Sequence, residues 1–400
     1  MVRRCRSLPA GVRRVTRAWH LVTGEYPPAP GGVSDYTRAI AVCLAAAGDT
    51  VHVWCPDAEG LAHDPPGVQV HRSAGQWTGS DLRRLDVEVD ATPAPRHLLV
   101  QWVPHAFGRR SMNVGFCRWV RRRGRRGDIV DLVVHEPFLA FREGSIRQDG
   151  AAAVHRLMVA LLLSVAQRVW VAIPAWAALL KPWAFGRQVD FCWLPVPSNV
   201  PVVSDQMGVA GVRANVAGNA PIVVGHFSTY GTHTRHDLDA IVPRLLTALP
   251  DAEVVLLGRG GEPVAAALRE RLGPDAPRVV ATGPLEATQL SCHLQACDLL
   301  VQPYPDGAST RRGTLMAALA HGLPVVTTIG RLSEPFWTDS AAVIAVPAED
   351  HAALAAAATA LAMDSSRRRT QSAAARALYD RRFDIRHTVQ ALRDDVCQPI

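Results

Sequence analysis

The sequence predicts an α/β protein of two domains, each a parallel sheet wound with helices. Three observations lead there. The chain has 400 residues, too many for one ordinary core. Short apolar runs alternate with stretches of helical periodicity. The alternation breaks once, near the middle, and then resumes.

In the first half, residues 18–23 and 51–55 read as buried strands. Between them, residues 34–47 place Tyr36, Ile40, Cys43, Leu44 and Ala47 at helical spacing, and Gly48 stands where a helix ends. Strand, helix, strand implies parallel pairing. Further strands are predicted at 98–103, 131–134 and 169–173. The Pro- and Val-rich stretch from Leu194 through Gly218 lacks a long periodic segment and reads as a linker. The second half then gives strands at 221–225, 253–258, 279–282, 299–303 and 325–328, with helices at 237–249, 264–272, 288–296 and 314–320. The tail, 366–396, reads as mostly helical. The expected division is 1–200, a linker over 201–219, and 220–382, with 383–400 returning to the first domain. Open parallel sheets bind ligands at the carboxyl ends of their strands, so two such edges facing across a cleft hold two substrates.

Composition narrows the partners. The formal charge is +7, yet Lys181 is the only lysine among 43 basic residues. So extreme an arginine bias points to genomic base composition rather than to phosphate contacts. The run at 118–126 (RWVRRRGRR) and the one at 3–17 read as solvated faces or tails. No nucleic-acid-binding signature accompanies them, and a nucleic acid partner is not expected. A weak peripheral membrane contact through the N-terminal-domain arginines stays open. No apolar segment follows the basic N-terminus, so no secretory signal is expected. The most apolar stretch, 157–166, is too short to span a bilayer and reads as a buried helix. The eight cysteines are scattered without metal-site spacing, which suggests reduced thiols, Cys43 among them as a core residue, in a cytoplasmic protein.

Five segments carry chemistry. QPYPDGASTRRGTLMAALAHGLPVVTT (302–328) takes a strand through Asp306 and Gly307 into a helix expected to begin near Ser309, with Arg311 and Arg312 in its first turn. A helix N-terminus suits a pyrophosphate, and cations are unfavourable there unless an anion compensates. The plainer alternative is a helix capped by Ser309 and Thr310 with arginines in water. GEYPPAPGGVSDYT (24–37) turns at Gly31 and Gly32 before Asp35, which permits close approach of a ligand or simply a tight turn. His105 and His135 follow two apolar strands on the ligand-binding side. VVGHFSTYGTHTRHDL (223–238) concentrates Ser228, Thr229, Thr232, His233 and Arg235. LLGRGGE ends a strand at Gly258 and Arg259. No Cys/His/Asp cluster or DxD pair suggests a metal.

Together these segments resemble the retaining glycosyltransferases of the GT-B fold, family 4 (group 1), over nearly the whole chain. The PxxDG…AHGLPVV stretch is the most specific part. The resemblance implies two Rossmann-like domains and a nucleotide-sugar donor as co-substrate, with no cofactor. The acceptor is a sugar, a lipid-linked group or a small molecule. It implies that His135, with His105 at the neighbouring strand end, meets the reacting sugar, and that Gly31, Gly32 and Asp35 line the acceptor side. Residues 282–285, Leu285 among them, line the base. Asp306, Gly307, Ser309, Arg312 and Thr314 meet diphosphate and sugar. Where the family has two glutamates eight residues apart, this chain has Ser309 and Ala317. The family's Arg/Lys phosphate pair is also missing in its usual form, and Arg235, His233 and Arg312 stand as substitutes. A non-catalytic sugar-nucleotide-binding descendant, or a sugar-nucleotide epimerase, are the alternatives.

Overall fold

A computed structural model describes residues 16–60, 63–108, 111–141, 145–273, 278–395 and 397. The chain divides into two compact units. One takes the chain up to Pro195 and again from Ile385, and the other is Val196–Asp384.

The first unit runs β1 (Ala18–Thr23), α1 (Gly32–Ala46), β2 (Thr50–Trp54), β3 (Val68–His71), α2 (Gly79–Asp90), β4 (Arg96–Trp102), α3 (Val114–Arg125), β5 (Ile129–Val134), α4 (Ile146–Leu163), β6 (Arg168–Val171), α5 (Pro174–Leu180) and β7 (Asp190–Trp193). The strands form one parallel sheet in the order β3-β2-β1-β4-β5-β6-β7. The second unit runs α6 (Gln206–Ala217), β8 (Ile222–Phe227), α7 (Thr232–Ala248), β9 (Ala252–Leu257), α8 (Gly261–Leu272), β10 (Val279–Ala281), α9 (Ala287–Gln295), β11 (Leu299–Gln302), α10 (Gly313–Ala320), β12 (Val325–Ile329), β13 (Ile344–Pro347), α11 (His351–Met363) and α12 (Ser365–Arg382). Its parallel order is β10-β9-β8-β11-β12-β13. Successive strand residues point to opposite faces. Val223, Val255 and Leu300 therefore pack with α10 and Trp337 on one side, while Val224, Leu256 and Val301 pack with α7, α8 and α11 on the other.

The last helix, α13 (Ile385–Asp394), belongs to the first unit. Asp395 pairs with Arg17 and Arg168, each at 2.7 Å, and Arg393 meets the buried Asp49 at 2.9 Å. In each sheet the strand order reverses beside the first strand, between β1 and β4 and between β8 and β11. Loops diverge at such a point and leave a crevice at the carboxyl edge.

Several expectations need correction. The stretch expected as linker contains α6, because Asp205 accepts from the Gly208 amide at 2.9 Å and starts a helix that the weak periodicity conceals. The supposed buried helix at 157–166 leaves Leu157 half exposed. The cysteines are not all thiols: Cys192 in β7 is bonded to Cys397, and Cys43 is also disulfide-bonded. Cys55, Cys117, Cys292 and Cys297 are free and buried.

The arginine run on α3 is a solvated face only in part: Arg118, Arg122, Arg125 and Arg126 are exposed, but Arg123 is not. Arg123 is buried and bonded to Asp128 and Asp90, each at 2.6 Å, and to Asp86 at 3.3 Å. Arg122 and Arg126 also reach Asp86, and the bond from Arg123 holds the Asp90 carboxyl below its usual range. The acids come from α2 and the turn before β5, so Arg122, Arg123 and Arg126 pair within their own fold. Of the other basic run, all but Arg17 lies outside the described residues.

Three histidines stack across β1, β2 and β3. His20 and His52 are register partners with rings 4.8 Å apart, and His52 Nδ1 lies 3.0 Å from His71 Nε2. Burial pushes His20 down to about 3, helped by the neighbouring His52 and the cations Arg96 and Arg123. Burial also lowers His52 and His71. These imidazoles are neutral when folded and gain protons when unfolded, so their contribution is intact above the unfolded pKa of ~6.5 and is lost as pH falls below it. Each fully shifted histidine steepens the loss by ~1.4 kcal/mol per pH unit. Urea unfolding between neutral pH and pH ~5 should show this, with a shallower slope in His20→Gln. An unchanged slope in that variant would remove His20 from the account.

Candidate functional site

At the carboxyl edge of the first sheet, the chain leaves β1 through Gly24, where a Cβ would meet the Ala106 carbonyl oxygen at 2.2 Å. Close packing of the loops after β1 and β4 therefore requires glycine. Gly31 is the N-cap of α1, and a Cβ there would strike the Glu25 carboxylate at 2.2 Å. Glu25 accepts from the Ser34 amide at 3.0 Å, so this carboxylate already occupies the N-terminus of α1. Gly32 and Asp35 are exposed on the first turn. Tyr36, buried on the next position, meets the His135 ring edge-on at 5.0 Å. The expected acceptor loop and His135 are thus neighbours.

His135 follows β5. Its Nε2 lies 2.9 Å from Oε1 of the fully buried Gln101 in β4, an arrangement that assigns the proton to Nε2 and leaves Nδ1 to accept. Burial lowers its pKa to about 4, so the ring is neutral at pH 7. His105 lies in a short turn after β4, exposed, with Glu136 at 3.7 Å. It is placed for solvent-side contact, and Gln101 is the positioning group that sequence reasoning missed.

At the carboxyl edge of the second sheet, the loop after β8 is held by Tyr230. Its buried hydroxyl donates to the His226 and Leu257 carbonyls at 2.9 and 3.1 Å. Ser228 accepts from the Tyr230 amide, and the Arg235 Nε donates to the Tyr230 carbonyl at 3.1 Å. Arg235 and Ser228 therefore shape the loop, whereas Thr229, Thr232 and His233 are exposed. Gly258 has φ +110°, and a Cβ would lie 2.5 Å from the Ser228 carbonyl oxygen. Arg259 beside it is exposed. Thr282 accepts from the Gly258 amide at 3.3 Å, and Leu285 leans on the core.

The stretch 303–314 forms the centre. Gly307 has φ +86° and packs against Gly330, with room for no Cβ. Helix α10 begins at Gly313, so Arg312 is its N-cap residue and Arg311 lies outside the helix, not in the first turn as expected. The cause is Glu334. This buried carboxylate, raised in pKa by burial, accepts from the Thr310 amide at 3.1 Å, the Thr310 hydroxyl at 2.5 Å and Trp337 Nε1 at 2.7 Å. Thr310 thus serves this anchor and does not cap a helix. Ser309 is fully buried with its hydroxyl unpartnered, so it is no cap either. Ala317, on α10, is also fully buried. Thr314 shares a 2.7 Å hydrogen bond with Tyr304.

Asp306 is ringed by cations: Arg331 at 2.7 Å, Arg311 at 3.1 Å and Arg312 at 3.7 Å. Arg312 and Arg331 share this one carboxylate, so the turn before α10 carries excess positive charge and suits a polyanion. Arg312 stacks over the Tyr304 ring at 4.7 Å, and its buried Nε has no partner. A cavity of about 390 Å³ opens beside Tyr304 and Thr328; His233 lines it, with His236, Asp237 and His351. No group of three or more His, Cys, Asp or Glu among the described residues is arranged to hold a metal. No described helix is long and apolar enough to cross a membrane. Sequence reasoning missed Glu25, Glu334 and Arg331. Only Arg331 carried a signal, a basic residue just beyond a strand end.

The family model for Glycosyl transferases group 1 matches residues 220–364, the segment that holds every element of this second edge. No curated protein matches the sequence. Among solved structures, sucrose-phosphate synthase from Thermosynechococcus elongatus is similar at a TM-score of 0.68 and 17% identity, over 94% of this chain and 98% of that one. The Anabaena protein HepE, in complex with UDP and glucose, gives 0.67 and 17%, over 95% and 99%. WaaG, a glycosyltransferase involved in lipopolysaccharide biosynthesis, gives 0.65 and 15%, over 94% and 99%. The chain therefore has the GT-B fold and carries, in residues 220–364, the domain of the group 1 glycosyltransferases.

Proposed function

We propose that the chain transfers a sugar from a nucleoside-diphosphate sugar to an acceptor hydroxyl, with retention and without a metal. The observation that carries this reading is the pair Arg312 and Arg331 on the single Asp306 carboxylate at the start of α10. As the bond from C1 to the phosphate oxygen breaks, charge grows on the departing diphosphate, and preorganised cations and helix N–H groups stabilise it. The acceptor oxygen bonds to C1 on the same face, and its proton passes to the leaving phosphate. His135, neutral and fixed by Gln101, suits a hydrogen bond to a sugar hydroxyl in place of proton transfer.

The carboxylates missing at Ser309 and Ala317 favour one other reading, a protein that binds the donor without turning it over. Donor hydrolysis by the purified chain separates the two. A thermal-shift screen against UDP, GDP, ADP and TDP with their sugars comes first, since a ligand that binds only the folded state raises its Tm. UDP leads the screen because the Anabaena protein of the same fold holds it. Transfer should survive chelation; loss with EDTA, restored by magnesium or manganese, would overturn metal independence. A cytoplasmic location rests on the substrate class and stands against the disulfide-bonded cysteines, which persist in oxidising surroundings. Thiol labelling of the protein taken directly from cells decides between them.

Arg312→Ala should weaken diphosphate binding about tenfold to a hundredfold, ~1.5–3 kcal/mol, the range for a charge-assisted hydrogen bond. Arg311→Ala should do much less, because Arg311 lies closer to Asp306. Calorimetry on both variants checks this. Parental affinity in both would displace the diphosphate from this turn.

A further inference from the structure

Two loops at the carboxyl edge of the first sheet carry the histidines of the candidate site, His105 after β4 and His135 after β5. The second loop is pinned from two sides. Trp102 Nε1 donates to the Pro137 carbonyl at 3.1 Å, and the Arg156 guanidinium on α4 donates to the Leu139 carbonyl at 3.0 Å. On the first loop, Asn113 Nδ2 donates to the Trp77 carbonyl at 3.1 Å. One side chain reaches both loops. His155, on the buried side of α4 and 1% exposed, places Nε2 2.7 Å from the Ser111 carbonyl oxygen and Nδ1 3.4 Å from the Leu139 amide nitrogen.

The two partners fix the state of this ring. A carbonyl only accepts and an amide N–H only donates, so Nε2 carries the proton and Nδ1 offers its lone pair. Only the uncharged ring makes both bonds. A second proton would set N–H against N–H at Leu139. Burial lowers the His155 pKa, the Ser111 carbonyl raises it in part, and His105 and Arg156 lower it. Glu136, the acid on the loop after β5, pairs with His105 instead. Ser111 holds a left-handed backbone at φ +60°, a conformation unfavourable for serine that its surroundings must keep in place.

We propose that His155 is a positioning residue for this edge: its imidazole ties the loop after β4 to the loop after β5 and so sets His105 and His135 relative to each other. It acts through those loops and touches no reacting atom. A site group tolerates roughly 0.5 Å of misplacement, and fastening two loops to one buried ring on a helix serves that tolerance better than loop contacts alone. The consequence for turnover rests on the sugar-transfer reading. The fastening of the loops does not.

Hydrogen exchange of the full chain tests the fastening. His155→Leu removes both bonds and should speed amide exchange in the two loops about tenfold, with the second unit unchanged. His155→Gln keeps one donor and one acceptor without titrating, and should exchange like the parent. After correction for the intrinsic rate, the parent's two loops should loosen as pH falls below ~6.5, the ordinary imidazole value, and His155→Gln should lose that response. With UDP-glucose as probe, His155→Leu should lower kcat for donor hydrolysis about tenfold and leave KM near parental, because the arginines proposed to bind the diphosphate belong to the other unit. Parental exchange in His155→Leu, or an acid response that survives in His155→Gln, would overturn the proposal. So would equal loosening in both variants, since packing and not hydrogen bonding would then hold the loops. If His155→Leu fails to fold, the acid response of the parent and of His155→Gln still decides. The expected exchange without hydrolysis by any variant, parent included, would count against the transfer reading alone.

Discussion

Arg123→Ala is expected to destabilise the first unit by ~3–5 kcal/mol, the cost of removing one member of a buried charged network. Arg123 is 1% exposed and faces three carboxylates, Asp86, Asp90 and Asp128. Without it, Asp128, itself nearly buried, keeps only the longer contact to Arg96 at 3.4 Å. Desolvation of an unpaired carboxylate then opposes folding. Arg125→Ala, an exposed neighbour on the same helix, should stay within ~0.5 kcal/mol of the parent. Urea denaturation of the two variants makes the comparison, and a loss below ~1 kcal/mol for Arg123→Ala would mean that the network relaxes around the gap.

His135→Ala is expected to lower sugar transfer by roughly 10²-fold, the usual scale for removing one positioned polar group from a transition state. Nucleotide binding should stay nearly intact, because the arginines proposed to bind the diphosphate belong to the other unit. The ring is neutral above a pKa of about 4, so His135 should leave no inflection in the pH–rate profile between pH ~5.5 and 8. Gln101→Leu, which removes the fixing partner but keeps the ring, should give a smaller loss of the same kind. Unchanged turnover in His135→Ala would make the imidazole a packing residue for Tyr36.

Central strands were legible in the sequence because burial on both faces makes them continuous apolar runs, as in 98–100 and 254–257. Three of the four edge strands were not. β3 reads VQVH, β7 DFCW and β13 IAVP, each only four residues long and partly solvated. Helix α11 is nearly all alanine and leucine, so its apolar face has no contrast with the rest. At the candidate site, glycines and strand-end histidines were legible because local backbone demands them. Glu334 was not, since its partner Thr310 is twenty-four residues away in sequence and only the fold joins them. The displacement of Arg311 and Arg312 out of α10 follows from that same contact. The Cys192–Cys397 bond spans 205 residues, and no spacing rule reaches so far.

The first unit is discontinuous, and this sets an order of assembly. A chain leaves the ribosome from its N-terminus, and the sheet of the first unit is complete once β7 has emerged. Its closing helix, α13, and the cysteine that bonds Cys192 come only after the whole of Val196–Asp384. Until then Asp49 lacks Arg393, and Arg17 and Arg168 lack Asp395. The second unit, by contrast, is one unbroken length of chain and holds all its own parts by the time residue 384 appears. The domain that is begun first is therefore finished last. A stop codon a few residues early would spare the second unit and leave the first one open at its seam.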